Sequence, residues 1–501
     1  MTPELMRAAR ATARLINTRV QIVIPSILAA GEGFTARISV TGSDALPVDA
    51  SDLRFHFEES PGVAGLPSTF KLGAGESTGR IVGLTATGPD VALIRMGVEF
   101  SGHTYARVSN PAWVFAAPTY RLFFGDLHVH TEFSNCSGWR CLPPDWCYEY
   151  ARDISLLDFV APADHLRGIA SDPLRWPHLQ AAARKYNSPR SFISFLAFES
   201  SHAQGFGGDN NAYFLGDDAP YFWLDREDMR GIAPKVHLQA LWSFLDETRQ
   251  RFFTVPHHTG RAAKYRTWDE DCHDPLREPL FEIYSSWGSS EMRHTRFPIS
   301  GGNNDAPAYF VDALKAGARF GVIASSDDHA TLPGSTHHFR TDAFQPPTLN
   351  GFAHKGLAAV RAQDLTRPSL FDGLCNRQTY ATTQARALVD LSIGDASMGM
   401  SVPADRQLSA RRSVRVRLTL ENAQSARVTL MRNGEPLESQ SLRGPQLLTS
   451  INEVVFEDPA PLEDVAVRGA KYHPAPFVVY YARIEDGNGA HQWTSPIWID
   501  C

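Results

Sequence analysis

FFGDLHVHTEFS, Phe123 to Ser134, is the stretch on which the fold turns. The apolar run Leu122-Phe123-Phe124 leads into a polar segment with Asp126, His128 and His130, and the two-residue period of a strand sends both imidazoles to one side. Two imidazoles at the end of a buried strand can share one cation, and neutral imidazole suits zinc, iron or manganese. An isolated HxH is equally a polar surface pair beside a loop. The decision therefore lies at the ends of the later strands.

On the C-terminal side of this stretch, strand-like runs recur: after Arg121-Phe124 come Leu157-Ala161, Phe192-Phe198, Phe252-Val255, Leu280-Tyr284, Arg319-Ala324 and Gly356-Val360. Helical candidates lie between several of them, at Pro144-Ser155, Pro173-Tyr186, Val236-Thr248, Ala308-Ala316 and Ser369-Leu374. Repeated strand-then-helix units predict an α/β fold with a largely parallel sheet or barrel, whose ligand site sits at the carboxyl ends of the strands. Polar residues gather at those ends: Asp126, His128 and His130; Asp164 and His165; Glu199; His257 and His258; Asp327 and His329, with Glu282 inside FEIYSSWG.

This donor set exceeds what one tetrahedral ion can use, so two or three divalent metal ions (Mn, Zn or Fe) are expected, with Glu199 bridging two. Asp126 and Asp164 are read as ligands or as acceptors that orient the imidazoles. His257 and His258 cannot both point the same way from an ideal strand, so one is a ligand and the other faces substrate, as His202 could. Arg261, Lys264 and Arg266 make the following segment basic and form the best anion-recognition candidate in the chain. His202, His258, Arg261 and Lys264 are the expected catalytic and substrate-contacting residues.

Residues 1–118 read as an N-terminal β-rich, sandwich-like domain after a short helix over Pro3-Leu15, 119–385 as the metallohydrolase unit with insertions, and 386–501 as a C-terminal β-sandwich-like domain. A chain of 501 residues suits roughly two to four domains. With 43% hydrophobic and 21% charged residues and a net charge of -7, it has no electrostatic footprint for nucleic acid. No 18-residue apolar run offers a membrane span. The arginines at 7, 10 and 14 precede no apolar stretch long enough for a secretory signal, so a cytoplasmic location is expected. A homo-oligomer is compatible with the sequence. The six cysteines follow no CxxC pattern, and Cys136, Cys141 and Cys147 read as core thiols, with an irregularly spaced soft-metal cluster as the alternative.

The ordered set GDLHVHT (125–131), PADH (162–165), FES (198–200), PHH (256–258) and SSDDH (325–329) resembles the polymerase-and-histidinol-phosphatase (PHP) metallohydrolase superfamily, and more closely its DUF3604-like branch. The resemblance spans about 119 to 385. It implies a distorted seven-stranded (β/α) barrel of PHP type with a two- or three-metal site, the ligands being His128, His130, His165, Glu199, one of His257 and His258, Asp327 and His329. Where the superfamily often has another His after HxHT, this chain has Glu132, Asn135 and Cys136. Many members are phosphoesterases. The expected function is thus a divalent-metal-dependent hydrolase, a phosphoesterase acting on a small anionic molecule through a metal-bridging hydroxide. A metal-dependent esterase, lactonase or amidase, and a multidomain binding protein with structural metals, are the alternatives.

Overall fold

The computed structural model describes residues 18–136, 141–200, 210–223, 234–261, 268, 273–302, 307–335, 356–383 and 385–501. The helix expected over Pro3-Leu15 lies outside them. At the N-terminal end, Thr18–Val23, Gly33–Gly42, Thr78–Ala86 and Val63–Ala64 form one antiparallel sheet, and His103–Val108, Arg95–Phe100, Arg54–Phe57 and Thr69–Phe70 form another. Alternate residues of the two sheets, Val20, Ile22, Ile38 and Val40 against Phe55, Met96 and Val98, share one apolar core. Each such side chain contributes about 1.5–3 kcal/mol of transfer free energy.

The central strands are β1 (Arg121–Val129), β2 (Phe159–Pro162), β3 (Ile193–Ser194), β4 (Leu196–Glu199), β5 (Asn210–Phe214), β6 (Phe252–Pro256), β7 (Leu280–Ser285), β8 (Gly321–Ala324), β9 (Gly356–Ala362) and β10 (Thr379–Thr383). The ladder from β1 through β2 to β3 is parallel, while β9 and β10 extend the other edge of β1 antiparallel. A second, antiparallel sheet holds β4, β5 and β6, and β7 pairs with β8 in parallel. The chain is therefore a strand-rich mixed α/β protein. Among the described residues no ladder closes into the expected seven-stranded barrel. One reason is β5, which the sequence reads as part of a cleft-wall insertion; it is a wholly buried strand wedged antiparallel between β4 and β6.

Single backbone links tie the sheets together where the polar residues sit. The Asp327 amide donates to His128 O at 2.8 Å, the His130 amide to Asp328 O at 2.9 Å, and the Glu199 amide to Asp164 O at 2.9 Å. Register shifts in β1 between Asp126 and Val129, and in β7 between Glu282 and Tyr284, fall at the same level and re-aim the side chains there. Helices cover the outside. In Arg175–Tyr186 the spacing of Trp176, Leu179 and Ala183 places one apolar stripe on Leu196 and Phe198. No helix of the described residues is long and apolar enough to cross a membrane.

Beyond β10 the sheet continues through His491–Thr494, Phe477–Asp486, Ser425–Arg432 and Glu435–Arg443, facing a second sheet of Ala396–Ser397, Leu388–Ile393, Arg412–Thr419 and Asn452–Asp458 across a shared apolar core. The Asn433-Gly434 hairpin expected from the sequence is present, with φ of 52° and 80° at those two residues. The strand expected at Val465-Arg468 is instead the end of a short helix, Leu462–Val465, followed by one bridge from Val467 to Phe477.

Candidate metal centre

Sequence and packing together set the position of β1. Leu127 and Val129 are fully buried in the core, so His128 and His130 emerge on the other side with ring centroids 5.1 Å apart. Gly125 allows this close approach, because a Cβ there would lie 2.2 Å from the Phe159 ring and 2.4 Å from the Phe159 carbonyl oxygen. Gly168 plays the same part behind His165, where a Cβ would meet Phe133 O at 2.0 Å. Just after β6, His258 has φ 35°, which folds its ring against His257 with centroids 3.7 Å apart. Asp327, at φ 50°, is likewise turned back toward the strand ends. Non-glycine residues in this region cost about 1–3 kcal/mol each and cluster at functional sites.

Partners on the far ring nitrogens orient the imidazoles. Glu282 accepts from His257 Nδ1 at 2.6 Å and from His128 Nδ1 at 3.3 Å. His329 Nδ1 donates to the Asp327 carbonyl at 3.0 Å, which can only accept. Ser134 has one hydroxyl proton and gives it to Asp164 at 2.5 Å, so its contact with His130 Nδ1 at 2.9 Å uses the proton of the ring. His128 Nδ1 meets both Glu282 and the Asn211 amide, and in His130, His257 and His329 a proton on Nδ1 leaves Nε2 turned inward as the atom a cation could take. Such outer partners fix the tautomer of metal-binding histidines.

What those nitrogens face is carboxylate oxygen. Asp327 Oδ1 is 2.9 Å from His130 Nε2 and 3.6 Å from His128 Nε2, Asp327 Oδ2 is 3.3 Å from His257 Nε2, and Glu199 Oε2 lies 3.4 Å from both His128 Nε2 and His130 Nε2. His128 Nε2, Glu199 Oε2 and Asp327 Oδ2 are buried and make no hydrogen bond. Buried carboxylate oxygens and ring nitrogens packed this closely call for a proton or a cation between them.

The protonation equilibria show the same demand at every shifted group of the cluster but His130, whose pKa is lowered by burial and the neighbouring His165 charge. Burial opposes charge on His128, but Asp327, Glu199 and Glu282 prevail and hold its pKa well above the ordinary range; for His165 burial is likewise outweighed, chiefly by Glu199. His257 is pushed up to about 9, burial opposing and Glu282 and Asp327 raising it. Burial resists ionisation of Glu282, yet His257 and His128 bring it down to about 2, and the surrounding imidazoles hold Glu199 and Asp327 well below the usual carboxylate range. A field that favours extra protons here also favours divalent cations, and the donors present fit them. Three sets have ligand atoms within 4.8 Å of one another: His128, His257 and Asp327; His128, His130 and Glu199; and His130, Cys136, His165 and His329.

No family model matches the chain. It is 26% identical over 399 residues to an uncharacterized protein of Chlamydia pneumoniae, and 30% identical over 399 residues to one of Chlamydia trachomatis, covering 78% of this chain in each case. The chain spans about 60% of the length of these curated relatives. Among solved structures it is similar to a two-domain protein of Bacteroides vulgatus containing a predicted PHP-like metal-dependent phosphoesterase. The TM-score there is 0.37 and the identity 13%, over 76% of this chain and 96% of the other.

Of the residues singled out from the sequence, His128, His130, His165, Glu199, His257, Asp327 and His329 come together in those sets. Asp126 and Asp164 stand behind them. Asp126 accepts from the amides of His128, Ser326 and Gly334, and burial pushes its pKa up to about 6 against those bonds. Asp164 accepts from the amide and hydroxyl of Thr131 as well as from Ser134. His258 is outside the three sets and flanks His257. The Arg261 guanidinium stacks 4.0 Å from the centroid of Trp287, whose ring meets both His258 and His329 edge-on at 6.4 Å. His202, Lys264 and Arg266 lie outside the described residues.

Four participants carry little sequence signal. Glu282 reads only as a polar residue within a strand, Trp287 as one more aromatic, and Asn211, 2.9 Å from His128 Nδ1, as part of a loop. Cys136 is the fourth; its pKa is brought down to about 7, burial opposing and hydrogen bonds with His165 and His329 prevailing. Cys147, fully buried among Tyr148, Leu157 and Tyr186, is a core thiol as expected, and Cys141 donates to His329 O at 3.1 Å.

Proposed function

We propose that this chain is a divalent-metal-dependent hydrolase, acting as a phosphoesterase on a small anionic substrate. The observation that carries the reading is the convergence of His128 Nε2, Glu199 Oε2 and Asp327 Oδ2, buried, without hydrogen bonds, and backed by a carboxylate that fixes two of the imidazoles. Divalent ions held there supply Lewis acidity and a nucleophile at neutral pH. In this reading His128, His257 and Asp327 would hold one ion and His130, His165 and His329 a second, with Glu199 beside both. Glu282 and the Asp164-Ser134 pair keep the ring nitrogens aimed inward, while Asp126 braces the loop that carries Asp327.

Arg261 favours the phosphoester. Its guanidinium, flattened on Trp287 beside His258 and His329, is assigned to bind two phosphate oxygens by parallel hydrogen bonds. His258, packed on His257, is assigned proton delivery to the leaving oxygen, and His202 and Lys264 further substrate contact. We also read 119–385 as the catalytic unit, a distorted barrel of PHP type, with the flanking β regions at 1–118 and 386–501 as shape-giving domains.

The test is elemental analysis of the purified chain joined to a hydrolysis panel of phosphoesters, carboxylic esters, lactones and amides, run on wild type and His128→Ala. Bound divalent metal with phosphate release, lost in the variant, is the expected result. Carbonyl cleavage without phosphate release would move the reading to an esterase or amidase. A chain with no stoichiometric metal and no turnover would remove it.

A further inference from the structure

Cys136 shares none of the roles given to the neighbouring histidines and carboxylates. Thr131 starts a single helical turn, Glu132–Ser134, by accepting from the Phe133 amide, and Asn135 then adopts φ 52°, a left-handed step that ends the turn. The chain reverses there and delivers Cys136 against His165 and His329 with hydrogen bonds to both. Its sulfur and one nitrogen each from His130, His165 and His329 lie within 4.8 Å of one another. A thiol that merely filled space would sit among apolar side chains, as Cys147 does. A second observation points to a ligand at the same place: Glu199 Oε2, buried and without a hydrogen bond, is aimed between His165 Nδ1 at 2.8 Å and His130 Nε2 at 3.4 Å.

We propose that Cys136 is a metal ligand, so that the centre is chemically asymmetric: a sulfur-containing subsite of His130, Cys136, His165 and His329 that selects zinc, beside a nitrogen-and-oxygen subsite of His128, His257 and Asp327 that accepts manganese, iron or zinc. The inference rests on the proposed metal centre and deepens it. Thiolate is a soft donor that favours zinc over manganese, whereas imidazole and carboxylate discriminate less.

Cobalt substitution of the full-length chain tests it, because sulfur bonded to cobalt gives a near-ultraviolet charge-transfer band that nitrogen and oxygen donors do not. Wild type should show the band. Cys136→Ser should lose it together with one metal equivalent per chain, while the other subsite keeps its ion. Cys136→Asp should recover the lost equivalent without the band and shift the preference at that subsite from zinc toward manganese. In wild type, bound zinc should also protect Cys136 from alkylation, resolved by peptide mass spectrometry, while exposed Cys501 reacts as before. A cobalt-loaded protein without the band, a band that survives in Cys136→Ser, or alkylation of Cys136 indifferent to zinc would overturn the proposal and leave the metal centre standing. A wild-type chain that binds no ion at all would overturn both.

Discussion

Two buried charge clusters in this chain differ in how their carboxylates are partnered. In the C-terminal region Asp458 accepts from Tyr480 at 2.6 Å, from Arg432 at 2.9 and 3.0 Å through its two oxygens, and from the Ala460 amide at 3.1 Å, with Arg412 at 2.9 Å. Arg412 in turn donates to Tyr480 Oη and to Leu408 O. Each oxygen there meets a proton that belongs to the chain. In the centre built on β1, by contrast, carboxylate oxygens meet ring nitrogens, and His128 Nε2, Glu199 Oε2 and Asp327 Oδ2 have no hydrogen bond, as Arg412 Nη2 has none in the first cluster. In the first cluster the carboxylate is neutralised by arginines of the chain itself; in the second the carboxylates are surrounded by imidazoles, and together they could hold a cation. Both are buried, so burial of charge alone does not distinguish a structural network from a functional site. The partner of the carboxylate does, arginine in one cluster and imidazole in the other.

Substitution at the open cluster should give the largest effect. Asp327→Asn keeps the shape but removes the charge that faces His128, His130 and His257, and a loss of ~5 kcal/mol of transition-state stabilisation, on the order of 10⁴ in turnover, is expected. Metal content measured on the same sample should fall with it. An Asp327→Asn protein with wild-type turnover and metal would erase the contrast. Next in size is Asp458→Ala, which strands fully buried Arg412 and should destabilise the fold by about 3–5 kcal/mol in denaturant unfolding while leaving metal content unchanged. A smaller change is expected from Glu282→Gln. It touches no ion in our reading, but it loosens His128 and His257, and metal affinity measured by chelator competition should weaken about 10- to 100-fold.

How far the two clusters could be read from the sequence depends on their physics. Strand alternation places Leu127 and Val129 inside and His128 and His130 outward, and most of the converging donors come after strands, at positions the sequence makes visible. The same period expects only one of His257 and His258 to be a ligand, and His257 alone enters a donor set; what it does not encode is the positive φ that folds the His258 ring against His257. Glu282 and Cys136 are hidden for different reasons. Glu282 acts through other side chains across the sheets, and Cys136 is delivered by a left-handed turn at Asn135 that no periodicity encodes. The closed barrel expected from seven strands is not seen because β5 pairs antiparallel between β4 and β6, a pairing that GFGGDNNAYF, rich in turn residues, does not advertise. Asp458 and Arg412 are unmarked in the sequence, since a buried ion pair and a solvated one have the same residue types.

Acid provides the finest probe of the closed cluster. Burial would raise the Asp458 pKa, but Tyr480, Arg432 and Arg412 prevail and hold it below the ordinary carboxylate value. A carboxyl whose pKa is lower in the folded than in the unfolded chain binds its proton more weakly when folded. Its contribution is therefore fully present above the unfolded pKa of about 3.9 and is lost as pH falls through the folded value. In Asp458→Asn that titration is absent, so the slope of unfolding free energy against pH below about pH 4 should be shallower than in wild type by at most one proton, ~1.4 kcal/mol per pH unit. Equal slopes in the two proteins would mean that Asp458 titrates alike in both states, and that its arginine partners do not hold the cluster closed in the way its hydrogen bonds indicate.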